Sequence, residues 1–213
     1  MEIVVNLKTY KQGVQVFKLA KLIKKLNLEN KIFLAVQPTD ISLVKSLTKL
    51  RPYSQHVDFH DKGKNTGFII PEAIKASGAR GSLLNHSEHK IAFNDIKKTA
   101  NRCKKIGLDL IICTDSLSEA KKIKSLKPYA IAYENSKLIG TGKSVTRHYP
   151  EDIKEFVDIL KGTKIIPFCG AGISSIEDII ESKNLGCDGV LISSEITKSK
   201  NPAKLLKKME SIK

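Results

Sequence analysis

The sequence predicts an α/β protein, a closed (β/α)8 barrel built as one domain over residues 1–213. Two observations carry that prediction. Eight short runs rich in Val, Ile, Leu or Ala recur along the chain. Each is followed by a turn and a stretch with apolar residues at helical spacing. Runs that are apolar throughout read as strands buried on both faces, as in parallel sheets covered by helices. Such strands pair in parallel through right-handed crossovers. An open doubly wound sheet fits the same alternation, and the count of eight favours the barrel.

The strands, in order, are Ile3–Leu7, Ile32–Val36, a weaker Tyr53–Val57, Gly81–Asn85, Leu108–Cys113, Ala130–Tyr133, Ile165–Phe168 and Gly189–Ile192. Helical spacing joins Val14, Phe17, Leu22 and Leu26, and again Ile41, Val44 and Leu47. Ser116 followed by Glu119 has the spacing of a capping box. Pro150 and Pro202 open the later helices, where proline at the first turn is a start signal. No linker or low-complexity stretch divides the chain. The segment Phe59–Ile70 is a polar loop of unusual length.

Composition narrows the function. Hydrophobic residues make up 41% and charged residues 28%, values of an ordinary globular chain and not of a disordered one. Charged residues interrupt every apolar run before it reaches membrane-spanning length. The chain starts directly on a strand, with no basic segment leading into a cleavable apolar one, so the expected location is the cytoplasm. Cys103, Cys113, Cys169 and Cys187 lack zinc-site or redox spacing and read as small buried hydrophobes in a reducing compartment. The formal charge of +15 favours an anionic partner. The lysines are scattered over amphipathic stretches, as at Lys18, Lys21, Lys24 and Lys25, and are not interleaved with aromatics. The expected partner is therefore a small phosphorylated substrate, with no nucleic acid and no membrane.

In a (β/α)8 barrel the chemistry lies at the carboxyl ends of the strands, and four places there are polar. Asn6-Leu7-Lys8 sets an ammonium at the first strand end, where it could neutralise a phosphate or an oxyanion; a surface lysine in a lysine-rich chain reads the same way. Asn85-His86-Ser87-Glu88 sets an imidazole past the fourth, at what reads as the start of a short helix; a structural histidine is the alternative. His56, His60, His89 and His148 read as surface or capping residues. Glu134 ends the sixth strand ahead of Ile139-Gly140-Thr141-Gly142, which suits either a base beneath a closing lid or an ordinary loop glutamate. Gly170-Ala171-Gly172, and Ser193-Ser194 after the last strand, each precede a helix whose free amides could face a phosphate dianion.

Taken together and in order, these segments resemble the triosephosphate isomerase family in its shorter archaeal form, over nearly the whole chain. The matching stretches are Asn6-Leu7-Lys8, Gln55-His56-Val57-Asp58, Asn85-His86-Ser87-Glu88, Ala132-Tyr133-Glu134, Ile139-Gly140-Thr141-Gly142 and Cys169-Gly170-Ala171-Gly172. The resemblance implies interconversion of dihydroxyacetone phosphate and glyceraldehyde 3-phosphate, with no metal and no organic cofactor. It implies Glu134 as base, His86 as electrophile and Lys8 as electrostatic partner. It further implies substrate binding by Asn6, Lys8, Ile139, Gly140, Gly170, Gly172, Ser193 and Ser194, and a homotetramer with a dimer as fallback.

Three departures accompany the likeness. Asn135 and Ser136 stand where the family has proline, which bears on lid stiffness. His89-Lys90 replaces an arginine-bearing stretch, and lysine lacks arginine's fork. The Phe59–Ile70 loop also differs. Two other readings remain at this point: a different phosphate-binding barrel acting on a larger substrate, and a non-catalytic binder of anions.

Overall fold

The computed structural model describes residues 1–28, 31–135 and 144–210. Eight parallel strands close in sequence order into a barrel. They are β1 (Glu2–Asn6), β2 (Ile32–Val36), β3 (Tyr53–Ser54), β4 (Gly81–Leu84), β5 (Asp109–Thr114), β6 (Ala130–Tyr133), β7 (Ile166–Cys169) and β8 (Gly189–Ile192). Closure is made by β1, where Ile3 pairs with Ile32 on one side and with Val190 on the other. Around the barrel run α1 (Val14–Lys25), α2 (Ile41–Thr48), α3 (Pro71–Ala76), α4 (Phe93–Ile106), α5 (Leu117–Lys124), α6 (Val145–His148), α7 (Pro150–Leu160), α8 (Ile176–Asn184), α9 (Ser194–Thr197) and α10 (Pro202–Glu210). Among the described residues, no helix is long and apolar enough to cross a membrane.

The strands have two buried faces because side chains alternate across each of them. Val4, Ala35, Leu83, Ile111, Ala132, Phe168 and Leu191 fill the inside of the barrel. Their neighbours Ile3, Val5, Leu34, Leu84, Ile112, Ile131 and Val190 face the helices in a second, larger core. Interior volume is matched by pairing large with small. A Cβ on Gly81 would lie 2.7 Å from the Tyr53 ring, and one on Gly189 would run into the Phe168 ring.

The weaker third run ends sooner than the sequence suggests. The strand stops at Ser54, whose hydroxyl donates to the His56 carbonyl (2.7 Å) as the chain turns away. The Phe59–Ile70 loop that follows is closed by an exchange at its base. The Asp58 N–H donates to the Ile69 carbonyl (2.8 Å), and the Ile69 N–H donates to Asp58 Oδ2 (2.7 Å). Arg102 on α4 holds the loop from beneath, bonding the carbonyls of Phe59 and His60 and the carboxylate of Glu72. His60 is packed between Phe59 and Phe68, so it is part of this loop's own small core and not a free surface residue.

Arg80 closes the floor of the barrel. Its guanidinium reaches Glu2 Oε1 (3.3 Å), Asp109 Oδ2 (3.2 Å) and the Tyr129 hydroxyl (2.6 Å), and it lies 4.5 Å from the centre of the Phe33 ring. The four cysteines are buried and free. Burial pushes the Cys103 thiol up to about 12 and the Cys113 thiol well above its usual range, so both are inert neutral thiols near neutral pH.

Candidate active site

At the carboxyl ends of the strands lies a cavity of about 360 Å³. Asn6, Lys8, His86, Glu134, Gly172, Ser193 and Ser194 line it, so residues from the ends of β1, β4, β6, β7 and β8 converge on one space. Gly170 stands directly behind Glu134: a Cβ there would lie 2.8 Å from Glu134 Cγ and 2.9 Å from Oε1. Ile139 and Gly140 lie outside the described residues, as do the other residues of 136–143.

Each charged group is held by its own set of contacts. Lys8 adopts φ 47°, a left-handed conformation uncommon for a side-chain-bearing residue. The Asn6 side chain accepts from its N–H (3.0 Å), and Gln55 donates to its carbonyl (2.8 Å). With the backbone fixed there, Lys8 Nζ meets Glu88 Oε1 at 2.6 Å. Asn85 (φ 59°) and Ala171 (φ 67°) are likewise left-handed at the ends of β4 and β7. Strain of this kind persists where surrounding bonds over-determine it, and it concentrates at binding sites.

His86 does not begin a helix. Residues 87–90 form a turn and bend, and α4 starts only at Phe93. Asn85 explains the delay: its Oδ1 accepts from the Ile91 N–H (3.1 Å) and holds the intervening residues as a loop. A helix dipole therefore does not act on His86. Instead the Glu88 N–H donates to His86 Nδ1 (3.2 Å), a bond that needs a lone pair on that nitrogen. The ring proton is thereby left on Nε2, which lies 3.5 Å from Glu134 Oε1. Glu134 is 4% exposed, and its Oε2 is buried with no hydrogen-bond partner among the described residues.

The capping box at Ser116 is half-formed. Ser116 Oγ accepts from the Glu119 N–H (3.3 Å), but the Glu119 carboxylate turns to Asn85 (3.1 Å), Thr114 (2.9 Å) and Lys90 (2.9 Å). Burial works against that carboxylate, yet these donors together hold its pKa below the usual value. Lys90 thus supplies an ion pair at this position with a point charge in place of a fork, and it also meets Asp115 at 3.4 Å.

The two turns expected to face a phosphate enter their helices differently. The start of α8 is capped from within: Ser175 accepts from the Asp178 N–H (3.1 Å), and Asp178 accepts from the Ser174 N–H (3.0 Å). The Ser193–Ser194 turn enters α9 with no side-chain cap, so its first amides have no side-chain acceptor. Ser193 Oγ is buried there without a partner among the described residues.

His56 is half-buried, while His89 is exposed as a surface residue. Their rings stack at 4.2 Å beside the Lys8–Glu88 pair, and His56 Nε2 lies 3.1 Å from Asp58 Oδ1. Together with Thr9, Gln37, Pro38, Gln55 and Ile69 they line a second cleft of about 300 Å³ next to the first. Tyr10 and Lys198 also line the main cavity, although no sequence motif marks them. Their positions three to six residues past strand ends are the signal that could have found them.

The comparisons with known proteins agree with this geometry. The family model described as "Triosephosphate isomerase" matches residues 1–209. The chain is 36% identical to the triosephosphate isomerase of Methanocaldococcus jannaschii over 98% of both chains. It is 41% identical to that of Metallosphaera sedula, over 96% of this chain and 92% of the relative. In fold it is similar to the triosephosphate isomerase of Bartonella henselae, with a TM-score of 0.74 at 18% identity over 97% of this chain and 96% of that one.

Proposed function

The chain belongs to the triosephosphate isomerase family and is an isomerase, and from that premise we propose how its residues divide the work of moving a proton along a three-carbon phosphate ester. Glu134 takes a proton from the carbon beside the carbonyl of dihydroxyacetone phosphate. The electrons move onto the carbonyl oxygen, giving an enediolate. Glu134 then returns the proton to the neighbouring carbon while the hydroxyl proton of the first carbon passes to the former carbonyl oxygen, and glyceraldehyde 3-phosphate results. The His86 Nε2–H donates to the oxygens that carry the developing charge, and the Lys8 ammonium lowers their energy further. Asn6 holds Lys8 in its left-handed conformation. Gly172, Ser193 and Ser194 receive the phosphate, and the family resemblance adds Ile139 and Gly140, which lie outside the described residues, to this set. Gly170 leaves room for Glu134.

The observation that supports this reading best is the sharing of one cavity by an ammonium, an imidazole and a buried carboxylate. Glu134 is 4% exposed and its Oε2 has no hydrogen-bond partner among the described residues, so the carboxylate is poorly solvated, which suits a base. The reaction belongs to glycolysis and gluconeogenesis. Neutral buried thiols fit a cytoplasmic setting. The clasped loop over residues 59–70 presents Phe68, which is 50% exposed, and the second cleft lies beside the site. Both features suit a homo-oligomer, read as a tetramer with a dimer as fallback, and light scattering on the purified chain measures which it is.

The deciding experiment is a coupled assay of Glu134→Gln. General-base catalysis supplies about 10²- to 10⁴-fold, so kcat is expected to fall at least about 100-fold with thermal unfolding unchanged. Turnover equal to that of the parent would remove Glu134 as the base. Absence of triose phosphate turnover in the parent itself would remove the reaction.

A further inference from the structure

We propose that Lys198, steered by the face of Tyr10, is a specificity-determining residue that recognises the phosphate dianion beside Ser193 and Ser194 in the cavity wall. The proposal rests on the isomerase reading above and extends it to a residue that neither a motif nor a strand end marks.

Lys198 caps the short helix α9 and donates its N–H to the Ser194 carbonyl (2.9 Å), so its backbone is tied to the turn that carries Ser193 and Ser194. Its side chain lines the cavity with those two serines. Lys198 Nζ lies 4.9 Å from the centre of the Tyr10 ring. Tyr10 belongs to the turn after β1, its N–H bonded to the Leu7 carbonyl (3.0 Å), and lines the same cavity. A ring face attracts an ammonium without neutralising it, which restricts where a long, flexible side chain goes while leaving its charge for a ligand.

Charge balance shows why such a residue is needed. Lys8 is already paired with Glu88 at 2.6 Å. Glu134 is the carboxylate of the cavity's own lining. With Lys8 held by Glu88, Lys198 is the ammonium of that lining left to meet a phosphate dianion. Among the described residues no carboxylate forms an ion pair with Lys198, so its charge is free to meet the dianion. The buried, unpartnered hydroxyl of Ser193 in the same wall is a polar group awaiting a ligand acceptor.

A group that touches only the phosphate, alike in ground and transition states, acts on KM and not on kcat. For Lys198→Met the KM for triose phosphate is expected to rise about 10-fold, the lower end for a charged hydrogen bond because the lysine is exposed. The kcat is expected to stay within about twofold. Lys198→Arg restores most of the affinity. Isomerisation of phosphate-free glyceraldehyde is the internal reference, and it does not respond to the charge at 198. Binding of phosphoglycolate, followed by calorimetry, weakens in parallel with KM and needs no turnover. An unchanged KM and phosphoglycolate affinity would overturn the proposal, as would equal losses on the phosphorylated and phosphate-free substrates. A parent chain without turnover whose phosphoglycolate binding still depends on Lys198 would overturn the isomerase reading and leave this one standing.

Discussion

Adding a single methyl group behind the proposed base tests the site without touching any charged residue. Gly170 follows β7 and donates its N–H to the Tyr133 carbonyl (2.9 Å), a bond that alanine keeps. Its φ is not left-handed, so alanine brings no backbone strain. The new Cβ would stand 2.8 Å from Glu134 Cγ. Ordinary carbon contact begins at about 3.5 Å, so Glu134 must retreat by about 0.7 Å. The cavity gives it somewhere to go, and the structural cost is correspondingly small: the thermal midpoint should move by less than about 4 °C. Proton transfer is less forgiving. Displacement of a reacting group by about 1 Å costs on the order of 100-fold, and kcat for Gly170→Ala should fall by close to that amount. The KM should change little, since the phosphate contacts lie elsewhere. The measurements are a coupled assay in both directions and a calorimetric melt. A folded variant with kcat within threefold of the parent would refute the claim that the placement of Glu134 limits the reaction.

Two further outcomes follow from the same coordinates. Asn85→Ala removes bonds to the Cys113 carbonyl, Glu119 and the Ile91 N–H, and it places alanine at φ 59°. It should destabilise the chain by about 3 kcal/mol in urea titration, and a loss under about 1 kcal/mol would contradict the role given to this network. His56 is held below its ordinary pKa by burial, with Asp58 opposing and His89 assisting. The unfolded chain therefore binds the extra proton first: this contribution to stability is present above about pH 6.5 and is lost as pH falls. The urea midpoint should drop between pH 7.5 and 5.5, with a shallower slope in His56→Gln; equal slopes would show that His56 is not the group responsible.

The barrel was legible because its strands are buried on both faces, and nothing else in the chain reads as a short, uniformly apolar run. Tyr53–Val57 was overextended because Val57 is buried for a different reason, beneath the loop base and not within the sheet. The polar residues at strand ends were legible as a set through their order along the chain. Local readings failed where a side chain chose a distant partner over a near one. Ser87 and Glu88 look like a helix start, but Asn85 ties up Ile91 and prevents it. His56 and His89 are far apart in sequence and carry no shared pattern, so their stacking is a property of the closed barrel alone. The same holds for Tyr10 and Lys198, which meet because β1 and β8 are neighbours.

The floor of the barrel has a consequence for anyone who would redesign its rim. One guanidinium gathers acidic groups from β1 and β5 and a phenol at the edge of β6, from a position just before β4. Half the circumference is thereby cross-braced at the end away from the cavity. Loops at the open end can be lengthened, exchanged or given new chemistry while the cylinder keeps its roundness, provided that Glu2, Arg80, Asp109 and Tyr129 are left alone. Tolerance for invention at one end is secured by intolerance at the other.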